Sequence, residues 1–242
     1  MAAPADGAPP AVVVADAAVA SAPVDAGAVA VDAAAAPALA ITDWPITWNA
    51  ERERLTLAYR RLHSDPDARD VTIEPRMIVL HYTAGGSAKG TKAYFDNLRM
   101  EADRAQLRKA GAVNVSSHFL VDRDGTIYRL QPETRMARHC IGLNHVAIGV
   151  ENVGDGKRWP LTDAQVAADA ALIRYLVARY PITRLVGHLE SNQLRGQPDF
   201  VELQAGYKND KPDPGAAFMR RVRAEVADLG LRGPEAVAAD GE

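Results

Sequence analysis

Two histidines and one aspartate have the residue types and positions best suited to holding a metal ion. His81 and His188 each follow a short, largely apolar segment, at 77–80 and 184–187, and Asp213 stands between two prolines. Catalytic zinc commonly takes three protein ligands from histidine and carboxylate and leaves a fourth position open. The sequence therefore predicts a catalytic zinc site made by these three side chains.

The proline pattern around Asp213 strengthens this prediction. Lys211 and Asp213 each precede a proline, which disfavours the helical region and favours extended backbone. Side chains two residues apart in an extended segment project to the same side, so Lys211 and Asp213 are expected to face one place. The alternative is that Asp213 only caps a helix begun by Pro214. The two histidines at the ends of apolar segments favour the interpretation of Asp213 as a metal ligand.

A zinc site of this composition suits hydrolysis of an amide or an ester. Zinc polarises a carbonyl and lowers the pKa of a bound water to about 7. Such a reaction also needs a general base and a group that stabilises the developing oxyanion. Glu151, in an otherwise small and apolar segment, is the candidate base, and Lys211 is the candidate oxyanion stabiliser. The alternative for Glu151 is a salt-bridged carboxylate at a solvent-facing strand edge.

Hydrophobic spacing predicts an α/β fold with a mixed central β-sheet flanked by helices. Helices are predicted over 51–63, over 94–105, from a Thr162 capping box to Tyr180, and from Pro214 to about Leu229. Strands are predicted over 77–80, 115–121, 126–130, 147–153 and up to His188, with the second and third forming a hairpin. Both histidines then lie at carboxyl ends of strands, where ligands bind in open α/β sheets.

Composition divides the chain into three parts. Residues 1–43 are rich in Ala, Val and Pro and contain no Lys, Arg or aromatic residue, so they are predicted to be a disordered tether. Residues 44–231 form the predicted zinc domain, and 232–242 a flexible tail. The five Asp of the tether account for more than the whole net charge of -3, which leaves the rest at +2. This weak charge argues against a nucleic-acid partner.

The membrane and redox signals are weak. The longest apolar run, near residues 11–20, is interrupted by Asp16 and has no basic leader, so neither a membrane span nor a secretory signal is visible. A long tether before a catalytic domain suits a protein of the cell envelope, in the periplasm or held at the outer membrane, or a secreted one. A monomer is expected. Cys140 is the single cysteine and excludes an intrachain disulfide.

Five separated motifs resemble the type 2 N-acetylmuramoyl-L-alanine amidases, a family that includes bacterial envelope amidases, phage amidases and peptidoglycan recognition proteins. The motifs begin at His81, Val115, Ile148, Gly187 and Lys211. They read His-Tyr-Thr-Ala, Val-Ser-Ser-His-Phe-Leu-Val followed by Asp-Arg-Asp-Gly-Thr-Ile-Tyr, Ile-Gly-Val-Glu, Gly-His, and Lys-Pro-Asp-Pro-Gly. The resemblance covers roughly residues 76–225 in the family's order.

The resemblance implies a peptidoglycan recognition protein-like fold and zinc-dependent hydrolysis of the amide between N-acetylmuramic acid and L-alanine. It implies that His81, His188 and Asp213 bind Zn²⁺, and that Glu151 and Lys211 are the catalytic pair of the Glu-dependent bacterial branch. Phage relatives carry a tyrosine just before the hairpin histidine, where this chain has a serine. The implied partner is peptidoglycan or its muropeptide fragments.

Further residues of the resemblance have less definite roles. His139, Asn144 and Tyr82 are candidate substrate contacts, although the family's His-Ala-Gly element is replaced here by His139-Cys140-Ile141. His118 and His145 are expected to be structural or to support the metal ligands. The stretch from His188 to Asp213 is longer than in small members of the family, and residues 190–210 are expected to be a loop near the cleft that shapes specificity.

Three alternatives remain from the sequence. A non-catalytic peptidoglycan-binding module would share the fold, but such modules usually lack a metal ligand. A cysteine hydrolase would use Cys140 with a distant histidine, for which no flanking signature is present. A mononuclear iron oxygenase also uses two histidines and a carboxylate, but its carboxylate normally lies two residues after the first histidine, where this chain has Thr83.

Overall fold

A computed structural model describes residues 39–234 and has one six-stranded sheet at its centre. The strands are β1 (Ile41–Asp43), β2 (Met77–Tyr82), β3 (Phe119–Val121), β4 (Ile127–Arg129), β5 (Ala147–Asn152) and β6 (Arg184–Gly187). Their order across the sheet is β1-β4-β3-β5-β2-β6. The β3–β4 hairpin is antiparallel and every other neighbouring pair is parallel. The predicted mixed sheet is therefore confirmed.

Five α-helices accompany the sheet in the described part of the chain. They are α1 (Ala50–His63), α2 (Ala88–Asp96), α3 (Ala105–Lys109), α4 (Asp163–Val177) and α5 (Ala216–Glu225). Two 3₁₀ helices span His188–Leu194 and Ala227–Leu229. None of the helices between residues 39 and 234 is long and apolar enough to cross a membrane.

The predicted capping box of α4 is present and also docks the helix on the sheet. The Thr162 hydroxyl accepts the Gln165 backbone N–H at 3.1 Å, and the Gln165 side chain accepts the Thr162 N–H at 2.9 Å. The amide nitrogen of the same Gln165 side chain donates to the carbonyls of Val121 and Val153. One residue thus starts the helix and fixes it to the ends of β3 and β5.

The two faces of the sheet have different roles. Helices α4 and α5 cover one face with a large apolar cluster that includes Ile78, Leu80, Ile148, Leu172, Met219 and Val222. The alternate residues of β2 and β5 point to the other face, where Met77, Val79 and Ala147 pack with Leu143 and Val186. His81 and Glu151 continue this second set of alternating positions, so the site lies on the face away from α4 and α5.

The prediction of one helix over 94–105 is wrong. Helix α2 begins earlier, where the Ser87 hydroxyl accepts the Gly90 N–H at 3.1 Å, and it ends at Asp96. Asn97 takes an extended conformation with ψ 127°, after which Arg99 pairs with Val113 in an isolated antiparallel bridge. The apolar stripe that suggested one helix is therefore shared between α2, this bridge and the short α3.

The fold extends past both predicted limits of the 44–231 domain. Strand β1 pairs parallel with β4, so residues 41–43 belong to the sheet and not to the tether. At the other end, the backbone of Arg232 bonds to Thr183 and Leu185 at 3.0 Å each, so it belongs to the fold and not to the tail. The remaining tether, 1–38, and the tail from 235 onward lie outside the described residues.

Candidate metal centre

His81, His188 and Asp213 converge, as the sequence predicted. Nδ1 of His81 is 3.0 Å from Nδ1 of His188 and 3.1 Å from Oδ2 of Asp213, and Nδ1 of His188 is 3.3 Å from the same oxygen. All three residues are buried. Ligand atoms around a tetrahedral zinc at about 2.0–2.1 Å stand about 3.3 Å apart. The spacing and the donor set therefore fit a zinc ion held by two histidines and one carboxylate.

The sheet explains why these residues meet. His81 lies near the carboxyl end of β2, and His188 follows β6 directly, on the neighbouring parallel strand. The backbone N–H of Leu189 then donates to the carbonyl of Asp213 at 2.8 Å, which brings the third ligand beside the second. Helix α5 is capped by Gly215, with no side-chain cap, so Asp213 is not its N-cap residue.

The electrostatics of the three groups favour a bound cation. Burial lowers the pKa of His81 to about 4, so this ring is neutral. Burial opposes ionisation of Asp213, but hydrogen bonds with His188 and His81 hold the pKa of its carboxyl well below the usual range. Burial also opposes charge on His188, yet the Cys140 thiol and Asp213 raise its pKa to about 10. Without a metal, the cluster thus holds a proton on His188, which a divalent cation would displace.

Glu151 lies beside the three predicted ligands. It is the register partner of His81, on the adjacent strand β5, and its Oε2 is buried without a hydrogen-bond partner among residues 39–234. Burial and the nearby Asp213 carboxylate raise the pKa of Glu151 well above its usual value, although His188 and Lys211 oppose this. An unpartnered carboxylate of high proton affinity has the properties expected of a general base.

A cavity of about 550 Å³ opens over this cluster and is also lined by Lys211 and Tyr82. Lys211 is exposed, and its charge acts on both His81 and Glu151. Tyr82, the last residue of β2, is partly exposed. The structure therefore brings all five predicted metal and catalytic residues to one cavity, whose volume lies in the range typical of ligand sites.

His139 and Asn144 also line the cavity, but their polar atoms make internal contacts. The ring of His139 lies against His81. Oδ1 of Asn144 accepts the backbone N–H groups of His139 and Cys140, both at 2.8 Å. His118 is buried and accepts the N–H of Gly149 at 3.0 Å, which is a structural role. His145 lies away from the cavity, half-buried.

The long segment after His188 forms part of the cavity wall. It starts with the 3₁₀ helix and continues irregularly to Lys211. His63 of α1 holds it: Nδ1 of this ring is 2.8 Å from Oε1 of Glu202, and both side chains are almost fully buried. Tyr207, further along, accepts a hydrogen bond from Arg138 at 3.2 Å and lines the cavity. The predicted loop near the cleft is thus anchored at several points.

The comparison with protein families agrees with this geometry. A family model described as N-acetylmuramoyl-L-alanine amidase (Amidase_2) matches residues 71–216, more than half of the chain. The chain belongs to the N-acetylmuramoyl-L-alanine amidase family. The matched range includes His81 of β2, Glu151 of β5, His188 of the first 3₁₀ helix, and Asp213 of the irregular segment before α5.

Individual relatives are more distant. The chain is 28% identical over 113 residues to peptidoglycan-recognition protein SC2 of Drosophila melanogaster, covering 46% of this chain and 61% of that protein. It is 31% identical over 99 residues to the endolysin of Escherichia phage T7, covering 39% of this chain and 66% of the endolysin. The chain thus spans less than two thirds of the length of these curated relatives.

The fold is that of the amidases and peptidoglycan recognition proteins. The structure of the endolysin amidase LysCS from Clostridium intestinale URNW superposes with a TM-score of 0.50 and 22% sequence identity. This similarity covers 80% of this chain and 97% of that one. The comparison shows a shared fold.

Proposed function

We propose that this protein is a zinc-dependent hydrolase that cleaves the amide between N-acetylmuramic acid and L-alanine in peptidoglycan or its fragments. The single observation that carries the proposal is the convergence of two histidine nitrogens and one carboxylate oxygen within 3.0–3.3 Å. Membership of the amidase family supports this substrate, and so does the similarity to a peptidoglycan-recognition protein of Drosophila melanogaster.

In the proposed mechanism, His81, His188 and Asp213 hold the zinc. When bound, the ion polarises the scissile carbonyl and lowers the pKa of water. Glu151 takes the proton of the attacking water and returns it to the leaving amine, for which its raised pKa is suited. Lys211 faces the oxygen that becomes negatively charged and stabilises it. A Glu and a Lys in these positions support membership of the Glu-dependent branch of the family.

The substrate also suggests where the protein works. Peptidoglycan lies in the bacterial envelope, so we place the protein in the cell envelope or outside the cell. Lys211 and Tyr82 are exposed or partly exposed at the cavity, so the rim of the cavity is accessible to a large substrate.

The test is digestion of purified muropeptides and of sacculi, with products analysed by mass spectrometry. We expect free stem peptides from the zinc-loaded protein, none after chelation, and recovery after zinc is restored. Metal analysis should give zinc and not iron. Protein that binds sacculi but releases no stem peptide with zinc bound would contradict hydrolysis and identify a binding module.

One observation favours a second mechanism enough to be tested with it. The Cys140 thiol lies at the same cavity and acts electrostatically on His188, which is the pairing that a cysteine hydrolase would need. In the proposed zinc mechanism, Cys140 has no chemical step. We expect Cys140→Ala to retain most of the hydrolysis, whereas a cysteine nucleophile would lose nearly all of it.

A further inference from the structure

The ring of His139 lies between the ring of His81 and a strand carbonyl. Its Nδ1 is 3.0 Å from Nε2 of His81, and its Nε2 is 3.2 Å from the carbonyl oxygen of Ala147. The two imidazoles meet edge to face, with an interplanar angle of 89°. His81 therefore has a contact on each nitrogen: His139 at Nε2, and the predicted metal ligands at Nδ1.

The contact with Ala147 indicates the tautomer of His139. A carbonyl oxygen only accepts hydrogen bonds, so the Nε2 of His139 that faces Ala147 carries a proton and donates it. In a neutral imidazole the other nitrogen is then an acceptor, and Nδ1 of His139 accepts from Nε2 of His81. A proton on Nε2 of His81 is the arrangement that leaves its Nδ1 lone pair for a cation among His81, His188 and Asp213. Without a cation, the Asp213 carboxylate, 3.1 Å from Nδ1, competes for the same proton.

We propose that His139 is a positioning residue that fixes the tautomer of His81 and so prepares Nδ1 of His81 to bind the metal. This inference rests on the proposed zinc site. It assigns to His139 a role different from the substrate contact expected from the sequence. The second histidine ligand has no comparable ring partner: its Nε2 has no hydrogen-bond partner among residues 39–234, and Cys140 is the neighbour that acts on it.

Two neighbouring residues hold His139 in place. Asn144 accepts the backbone N–H groups of His139 and Cys140 with one oxygen, which fixes the backbone on either side of the ring. Gly149 on β5 leaves the space for the ring, since a Cβ there would lie 2.7 Å from Cγ of His139. A glycine inside a predicted strand already indicated a close approach by another group. Only the structure shows that this group is the ring of His139.

The direct test is the tautomer of His81 in the metal-free protein. Histidine-selective ¹⁵N labelling separates protonated from unprotonated ring nitrogens, and single His→Gln variants assign the six histidines. We expect a larger fraction of His81 with its proton on Nε2 in the wild type than in His139→Leu, where the Asp213 carboxylate is the remaining acceptor. A proton on Nδ1 of His81 in the wild type, or an unchanged tautomer in His139→Leu, would overturn the inference.

Zinc affinity gives a second readout that does not depend on activity. We expect His139→Leu, measured by chelator competition, to weaken zinc binding about 10- to 100-fold. In His139→Asn the side-chain oxygen can still accept from His81, so most of the affinity should return. His145→Leu is the matched control, since this half-buried histidine lies away from the cavity.

The outcomes separate this inference from the proposed function. If the wild type binds no zinc, the proposed function fails, while the tautomer measurement still decides whether His139 orders His81. If the wild type binds zinc and His139→Leu binds it equally well, the function stands and the positioning role is wrong. Equal losses in His139→Asn and His139→Leu would likewise contradict the role, since only one of them lacks the acceptor.

Discussion

Glu151 and His81 are register partners on the adjacent parallel strands β5 and β2. This pairing places a carboxylate beside a predicted metal ligand without making it a ligand, because the three atoms that converge belong to His81, His188 and Asp213. The strand register therefore separates the proposed general base from the residues proposed to hold the ion. That separation gives the first prediction.

Glu151→Gln should keep zinc and lose most hydrolysis. The amide is nearly isosteric but has little affinity for a proton, so the rate should fall by about 10²–10⁴. Zinc content and stem-peptide release are measured on the same preparation. Glu74→Gln is the control, because Glu74 is exposed and pairs with Arg76. Unchanged product release would refute the assignment of Glu151 as the base.

Asp213→Asn should lower zinc affinity because it replaces a charged ligand by a neutral one. We expect loss of the metal during dialysis against a chelator that leaves the wild type loaded. Asp210→Asn serves as the control, since Asp210 is exposed in the same segment and accepts a hydrogen bond from Asn192. Full retention of zinc by Asp213→Asn would remove this residue from the ligand set.

Lys211→Met should reduce the catalytic rate without changing zinc content. Removing one oxyanion-stabilising group typically costs about 3–4 kcal/mol, or about 10²–10³ in rate. The measurement is kcat on a soluble muropeptide, with Lys208→Met, an exposed residue of the same segment, as control. If Lys211 only attracts the substrate, KM will rise while kcat stays the same.

Asp169 should make the folded protein less stable as the pH rises from about 4 to 7. Burial raises the pKa of this carboxyl to about 7, against a smaller opposite effect of the Asn152 side chain, which donates to it at 3.0 Å. The folded state therefore binds a proton that the unfolded chain releases near pH 3.8. The proton on Asp169 therefore contributes up to about 4 kcal/mol to the free energy of unfolding. This contribution is fully present below pH 3.8 and is lost as the pH rises through 7.

Asp169→Asn should remove this pH dependence. Urea unfolding of the metal-free wild type and variant at pH 4.5, 6 and 8 measures it, since metal binding has a pH dependence of its own. We expect the difference in unfolding free energy between the two proteins to change across this interval. Parallel pH profiles would show that Asp169 is not protonated in the folded state.

The buried pair of His63 and Glu202 should control the order of the cavity wall. Glu202→Ala leaves Nδ1 of the buried His63 ring without its hydrogen-bond partner, which we expect to cost about 1–3 kcal/mol. Hydrogen exchange should speed up over residues 195–210, and KM should rise while zinc stays bound. Glu101→Ala, at an exposed position, is the control. Unchanged exchange would assign the anchoring to other contacts, such as that of Tyr207 with Arg138.

The sequence predicted the site residues that lie at the ends of strands or beside prolines. His81 and His188 were recognisable because apolar segments precede them, and the prolines around Asp213 indicated its extended backbone. Parallel strands then bring the histidines to one sheet edge. The role of His139 was not predictable, because it depends on the carbonyl of Ala147 and the space at Gly149, which are set by tertiary packing.

Two predictions were wrong for similar reasons: the start of the folded domain and the helix over 94–105. Residues 41–43 directly follow the Ala-rich first part of the chain and, like it, contain no basic or aromatic residue. Only pairing with β4 makes them a strand. The periodic stripe from Tyr94 to Ala105 fits a helix, but Asn97 turns extended so that Arg99 can pair with Val113. In both cases, a contact between distant parts of the sequence outweighs the local pattern.

The backbone of Arg232 accepts from Leu185 and donates to Thr183, closing the outer side of the strand that leads to His188. Trimming the gene to end before codon 232 would leave that edge open to water and to other chains. The ligand at the end of this strand would lose part of its support. Shortened versions for crystallisation or tagging should therefore keep the carboxyl-terminal residues through 232.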